Sequence, residues 1–374
     1  MTATTARPGR PSWTTLVPPV AVLVLVATWT RHESPWVLTL IAVLLVGAVL
    51  AAVHHAEVVA HRAGEPYGSL VLAVAVTIIE VGLIVMLMVG GGDGASTYAR
   101  DTVFAAVMIT LNGIVGLSLL VGATRHGLAS YNASGSGSAL TTVVALASVC
   151  LVLPGFTVSE AGYEYSASQL AFAAVVSLTL YVAFVLTQTV GHRDFFLPVS
   201  SDELGRMTGV LDEDGDGHAD PPTARAAWVS VGLLVAALVA VVGLAKLLSP
   251  TIEDVVAAAG FPAPVVGVVI ALLVLAPESI AAVRHAARDR VQISLNLAYG
   301  SAMASIGLTI PAIAVASIWL DGPLELGLGP TQIVLLTISV VVSVLTVVPG
   351  RAKALQGLVH LVLLATFVFL SAQP

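Results

Sequence analysis

Two acidic residues stand where this chain can least tolerate a charge. Glu80 lies near the middle of "GEPYGSLVLAVAVTIIEVGLIVMLMVGG" (64–91) and Glu278 lies in "LAPESIAAV" (275–283), each within an apolar run long enough to cross a bilayer. A charge at the bilayer centre costs about 2.5–3.5 kcal/mol even on insertion scales, so such residues carry ion or proton traffic or are neutralised inside a bundle. The spans that follow the two acids add oxygen donors: Asn112 in "LNGIVGLS" (111–118), and Asn296, Ser301 and Ser305 in "LNLAYGSAMASIG" (295–307). Hard cations such as Ca²⁺ take roughly six to eight oxygens from carboxylates, amides and carbonyls. Pro277, directly before Glu278, lacks a backbone donor and is expected to break its span, freeing carbonyl oxygens at that depth. Glu80 and Glu278 are therefore the expected metal-binding pair, balancing one divalent cation or two protons. A dry site that can hold either species, with neither state leaving a bare charge, couples the two by competition, which is the chemistry of antiport.

The elements that must position these residues follow from composition. With 57% hydrophobic and 10% charged residues over 374 positions and a mean hydropathy of +0.98, the chain is a polytopic, all-α integral membrane protein embedded in a lipid bilayer. Eleven spans are expected, near 14–30, 36–58, 69–90, 103–123, 139–155, 168–190, 228–248, 263–285, 292–318, 331–349 and 355–371. The first, after Arg7 and Arg10, lacks a small-x-small cleavage site and reads as a retained helix rather than a signal peptide. Sorting the basic residues by loop gives twelve on one side and three (Arg31, Arg100, Lys246) on the other. The positive-inside rule then puts the N-terminus in the cytoplasm and the C-terminus outside.

Removing the first span leaves two sets of five, so the expected organisation is an N-terminal segment (1–35), a first repeat (36–190), an acidic cytoplasmic linker (191–227) and a second repeat (228–374). An odd number of spans per set inverts one repeat against the other, the design of secondary transporters whose sites lie at the repeat interface.

Other clusters have narrower readings. His54, Glu57 and His61 share one helix face and form an accessory proton pathway or an interfacial helix end. Asp212, Asp214, Asp216 and Asp220, with Gly217, match EF-hand loop positions, but Thr223 replaces the final bidentate Glu; the segment is a regulatory Ca²⁺ loop or a solvated linker. Cys150 is the only cysteine, so no disulfide within the chain and no cysteine-based metal site is expected. No basic tract offers a nucleic-acid surface, and no phosphate-binding Gly-x-x-x-x-Gly-Lys-Ser/Thr loop or HExxH is present, which argues against a pump or an intramembrane enzyme. No cofactor is expected.

Three segments, "HAEVVAHRAGEPYGSLVLAVAVTIIEVGLI" (55–84), "RDTVFAAVMITLNGIVGLSLLVG" (100–122) and "APESIAAVRHAARDRVQISLNLAYGSAMASIGLTIP" (276–311), resemble the two repeat regions of bacterial calcium/proton antiporters, within the calcium/cation antiporter superfamily. The resemblance covers spans 2 to 11. It implies exchange of Ca²⁺ for H⁺ across a bacterial inner membrane, with Glu80 and Glu278 as the exchanging acids. Gly300 and Ser301 stand where the family has its Gly-Ser. Members of this branch also exchange Na⁺ or K⁺ for protons. The superfamily's Gly-Asn-Ala-x-Glu is replaced here by Val-Thr-Ile-Ile-Glu (76–80) and Leu-Ala-Pro-Glu (275–278).

Overall fold

A computed structural model describes residues 12–30, 34–64, 67–90, 94–197, 222–320 and 322–374. In a hydrocarbon environment each backbone N–H and C=O must be paired within its own segment, so the long apolar runs fold as helices. These are α1 (Trp13–Thr28), α2 (Pro35–Ala63), α3 (Tyr67–Gly90), α4 (Tyr98–His126), α5 (Ala133–Phe156), α6 (Ala167–Gly191), α7 (Ala224–Ala258), α8 (Pro264–Ala286), α9 (Val291–Ala316), α10 (Pro330–Val347) and α11 (Ala354–Ala372). Ten of them are long and apolar enough to cross a membrane, and α1, at 16 residues, is the short one. Each corresponds to an expected span. Helix α7 runs ten residues past the expected end at 248.

Local chemistry sets the helix starts. Proline occupies the first helical position of α2, α8 and α10, where no N–H is needed. The Asn132 side chain caps α5 by accepting from Ser134 N at 2.9 Å and Gly135 N at 3.2 Å. One expectation is corrected here: Pro277 does not break α8, which stays helical through Ala286. The ring removes the single donor that would have met the Leu273 carbonyl, and packing on both sides of the helix holds the rest of the ladder.

Packing divides the helices into two bodies. Leu25 of α1, Leu45 and Val49 of α2, and Val241 and Leu244 of α7 belong to one apolar cluster. Helices α4, α5, α6, α9, α10 and α11 form the other. Helices α3 and α8 contribute to both, through Ile79 and Ile84 on α3 and Val274 and Leu275 on α8, so they lie along the seam between the bodies.

Connections between the two halves of the chain recur in pairs. Strand β1 (Ala129–Ser130), in the α4–α5 loop, pairs antiparallel with β2 (Arg351–Ala352), in the α10–α11 loop. The α9–α10 loop meets the α5–α6 loop through a bridge between Glu164 and Glu325, and Gly327 N donates to Tyr163 O at 2.9 Å. Glu325 is also tied to the α3–α4 loop by its N–H to Ser96 O (3.0 Å) and its carboxylate to Ser96 Oγ (2.9 Å), while Arg100 pairs with Asp101 at 2.9 Å. Likewise α4 lies against α11, and α9 against α6, where Gly307 meets Tyr181.

The α4–α11 contact depends on two glycines. A Cβ at Gly357 would lie 2.5 Å from Leu120 N and 2.7 Å from Gly116 O, both backbone atoms that cannot yield without separating the helices. Gly357→Ala is expected to destabilise the protein by about 1–3 kcal/mol, the usual range for overpacking, seen as a lower midpoint of thermal unfolding in detergent. An unchanged midpoint would show that the two helices can part freely.

Candidate functional site

Glu80 occupies the middle of α3. Its neighbours Val76, Ile79 and Leu83 pack into the α1–α2–α7 body, and Gly82 admits Val242 of α7. The carboxylate itself is buried, at 2% exposure, and meets α9: Ser305 Oγ donates to Oε2 at 2.9 Å. Oε1 has no hydrogen-bond partner. The Thr309 hydroxyl, four residues on from Ser305, faces the same carboxylate.

Glu278 projects from α8, half-buried, with Oε2 buried and without a partner. Its charge is felt by Glu80, and it in turn feels Glu57 at the end of α2. The three acids therefore form a graded series, from exposed Glu57 through half-buried Glu278 to buried Glu80. They come from three helices and span both packed bodies. Like charges so placed in low dielectric cannot all remain bare, and protons or a cation must compensate them.

The two asparagines are engaged elsewhere. Asn112 lies in a π-helical turn of α4 (Ile109–Ile114) that turns its amide toward α10 and α11. Its Nδ2 donates to Ser339 Oγ at 2.9 Å, and its Oδ1 accepts from His360 Nδ1 at 3.2 Å. His360 Nε2 then pairs with Thr346 Oγ1 at 3.2 Å. Asn296 accepts from Gln292 Nε2 at 2.8 Å and donates to the Phe196 carbonyl at 2.7 Å, fastening the end of the first half onto α9. Among the described residues no hydrogen bond joins either asparagine to a glutamate. Ser301 is half-buried beside Gly300, where a Cβ would meet nothing within 4 Å, so the helix faces open space at that point.

On α2, His54 and His61 are exposed. The residue that is built in is their neighbour His55, at 4% exposure: Nε2 donates to the Thr14 carbonyl at 3.0 Å, leaving Nδ1 to accept from Ser230 Oγ at 3.2 Å. This pins α1 and α7 to α2. Asp212, Asp214, Asp216 and Asp220 lie outside the described residues. Among the described residues no group of three or more His, Cys, Asp or Glu side chains is placed to hold one metal ion.

Thr309, His55 and His360 are the residues that sequence reasoning missed. A signal existed for Thr309, which repeats Ser305 at the four-residue helical spacing.

A membrane protein that sets a buried, hydroxyl-bonded carboxylate and a second, half-buried one on the helices at the seam of two helical bodies has the makings of an ion exchanger. The chain does belong to the sodium/calcium exchanger protein family, whose pattern matches residues 33–190 and 229–373. It is a multi-span transporter and not an enzyme. It is 43% identical over 371 residues to the protein y4hA of Sinorhizobium fredii, covering 97% of both chains. To the sodium-potassium/proton antiporter ChaA of Escherichia coli it is 32% identical, covering 95% of both. Its fold is similar to that of native YfkE, with a TM-score of 0.69 at 17% identity, covering 96% of this chain and 100% of that one. The H⁺/Ca²⁺ exchanger CAX is similar too, with a TM-score of 0.66 at 15% identity, covering 96% and 92%.

Ser305→Ala would leave both Glu80 oxygens without a donor. A hydrogen bond to a charged group contributes about 1.5–3 kcal/mol, so cation affinity in flux assays is expected to fall by roughly ten- to a hundredfold. Unchanged affinity would show that Ser305 does not hold the working carboxylate.

Proposed function

We propose that the protein exchanges Ca²⁺ for H⁺ across a bacterial cell membrane, with Glu80 and Glu278 binding either the cation or protons. The observation that carries this reading is the buried Glu80 carboxylate, bonded at 2.9 Å to Ser305 of the other half of the chain while Oε1 stays open. Glu80, Glu278, Ser305 and the Thr309 hydroxyl offer an all-oxygen set suited to a hard cation. Two carboxylates match one divalent ion or two protons, so each loaded state is neutral. Asn112 and Asn296, bonded elsewhere, stay outside this shell and act as struts. Glu57 is a third proton-accepting group on the way in, with exposed His54 and His61 beside it.

The two five-helix sets, 36–190 and 228–374, act in this reading as inverted repeats. Their loops support it, since α4–α5 meets α10–α11 as α9–α10 meets α5–α6, and so does the matching contact of α4 with α11 and α9 with α6. The twelve-to-three distribution of basic residues supports a cytoplasmic N-terminus and an outside C-terminus.

A second reading, Na⁺ or K⁺ exchange for H⁺ at the same site, is favoured by the likeness to the sodium-potassium/proton antiporter ChaA at 32% identity over nearly the whole chain. Purified protein in proteoliposomes with an imposed pH gradient separates the two. Ca²⁺ is expected to dissipate the gradient, with Glu80→Gln and Glu278→Gln each abolishing the exchange and Glu57→Gln slowing it. Dissipation by Na⁺ or K⁺ with no response to Ca²⁺ would select the second reading. Wild-type exchange in either Gln variant would overturn the two-carboxylate site for any cation.

A further inference from the structure

Two buried polar atoms at the centre of the protein are each short of a partner. Glu80 Oε1 accepts no hydrogen bond and Thr309 Oγ1 makes none, although the Thr309 hydroxyl is turned to that carboxylate. Thr309 is fully buried, at 0% exposure. An unpaired hydroxyl at this depth is unusual and asks for an explanation.

Elsewhere in these helices threonine solves the problem locally. Thr110, Thr337, Thr346 and Thr366 each return the hydroxyl to the carbonyl four residues back, at 2.8 Å to Ala106, Ile333, Val342 and Val362. Thr309 does not follow them: α9 is interrupted at Leu308, Thr309 opens its second segment, Thr309–Ala316, and its hydroxyl makes no such return bond. The hydroxyl is left without a bond beside Glu80. Gly307, directly before the break, is pressed against Tyr181 of α6: a Cβ there would fall 2.8 Å from Tyr181 Cβ.

From this arrangement we infer that Thr309 is a ligand of the exchange site, serving both of its loaded forms. The inference rests on the exchange reading above. In the proton-loaded form the Glu80 proton sits on Oε1 and is donated to a lone pair of Thr309 Oγ1, while Oε2 keeps the Ser305 bond. In the cation-loaded form that proton has left toward water on the Glu278 side, and Oε1 and Oγ1 both turn lone pairs to the ion. Thr309 thus accepts from the one Glu80 oxygen that Ser305 does not when that oxygen is protonated, and shares the ion with it when the cation is bound. The titratable group facing Glu80 is Glu278 of α8, beyond which lies Glu57 of α2; among the described residues α4, α7 and α9 turn no charged side chain to it. No cation therefore competes with the substrate for this carboxylate.

The test is the initial exchange rate in proteoliposomes against cation concentration, taken across a range of pH, for the wild type, Thr309→Val, Thr309→Ser and Glu80→Gln. Val keeps the shape and removes the oxygen; Thr309→Ala replaces it should the second methyl disturb packing. The Val variant is expected to raise the cation KM about tenfold, the effect of one bond to a charged group, and to move the pH dependence toward acid, since protonated Glu80 loses its acceptor. The Ser variant should restore both. A lower maximal rate with unmoved KM and pH dependence would assign Thr309 to packing alone, and a Ser variant as impaired as Val would equally overturn the inference. Inactive Glu80→Gln beside an unaltered Thr309→Val removes Thr309 while leaving the exchange reading intact. Active Glu80→Gln removes the reading itself.

Discussion

The rest of this structure depends on one constraint: a carboxylate withdrawn from water into a low-dielectric helix bundle must be matched by a proton or a cation at every stage of its work. Glu80 is held to that condition by its surroundings. Its helix packs against α2, α4, α7, α8 and α9, and among the described residues the polar groups that face it are hydroxyls and a second carboxylate. Hydroxyls can donate or accept, so they serve a charged and a neutral glutamate alike. A lysine or arginine in their place would satisfy Glu80 permanently and leave no part for a substrate ion.

Position adds to chemistry. Helices α3 and α8, which carry buried Glu80 and half-buried Glu278, lie along the seam between the α1–α2–α7 body and the body built on α4 and α9. A relative shift of the two bodies would act first on the groups along that seam. His55, bonded to Thr14 and Ser230, keeps α1, α2 and α7 together as a unit, and the Asn112–His360–Thr346 chain does the same for α4, α10 and α11. These buried polar links tie neighbouring helices together and so specify packing without adding charge.

Much of this was legible in the sequence because the membrane writes large signals. Every expected span is a helix, since a run of about 20 apolar residues has no other stable form in hydrocarbon. The two carboxylates stood out for the same reason, as acids set within apolar runs. What the sequence could not convey was direction. Asn112 and Asn296 look like ligands when read as polar residues in spans, yet a π-helical turn sends one amide to α10 and α11, and Phe196 draws the other to the end of the first half. Pro277 suggested a broken helix, but losing one donor was not enough to interrupt α8; the break that matters lies at Leu308, with no proline immediately beside it. His55 was hidden between His54 and Glu57 because only the packing of α1 and α7 shows which of these neighbours is inside.

The central claim, that one buried site holds either the cation or protons, can be tested without transport at all. Adding Ca²⁺ to detergent-purified protein in weakly buffered solution should release protons, approaching about two per ion bound where both acids begin protonated. Glu80→Gln and Glu278→Gln should abolish that release. Calcium bound by the wild type at that pH with no proton set free would contradict the account, because cation and proton would then occupy separate places.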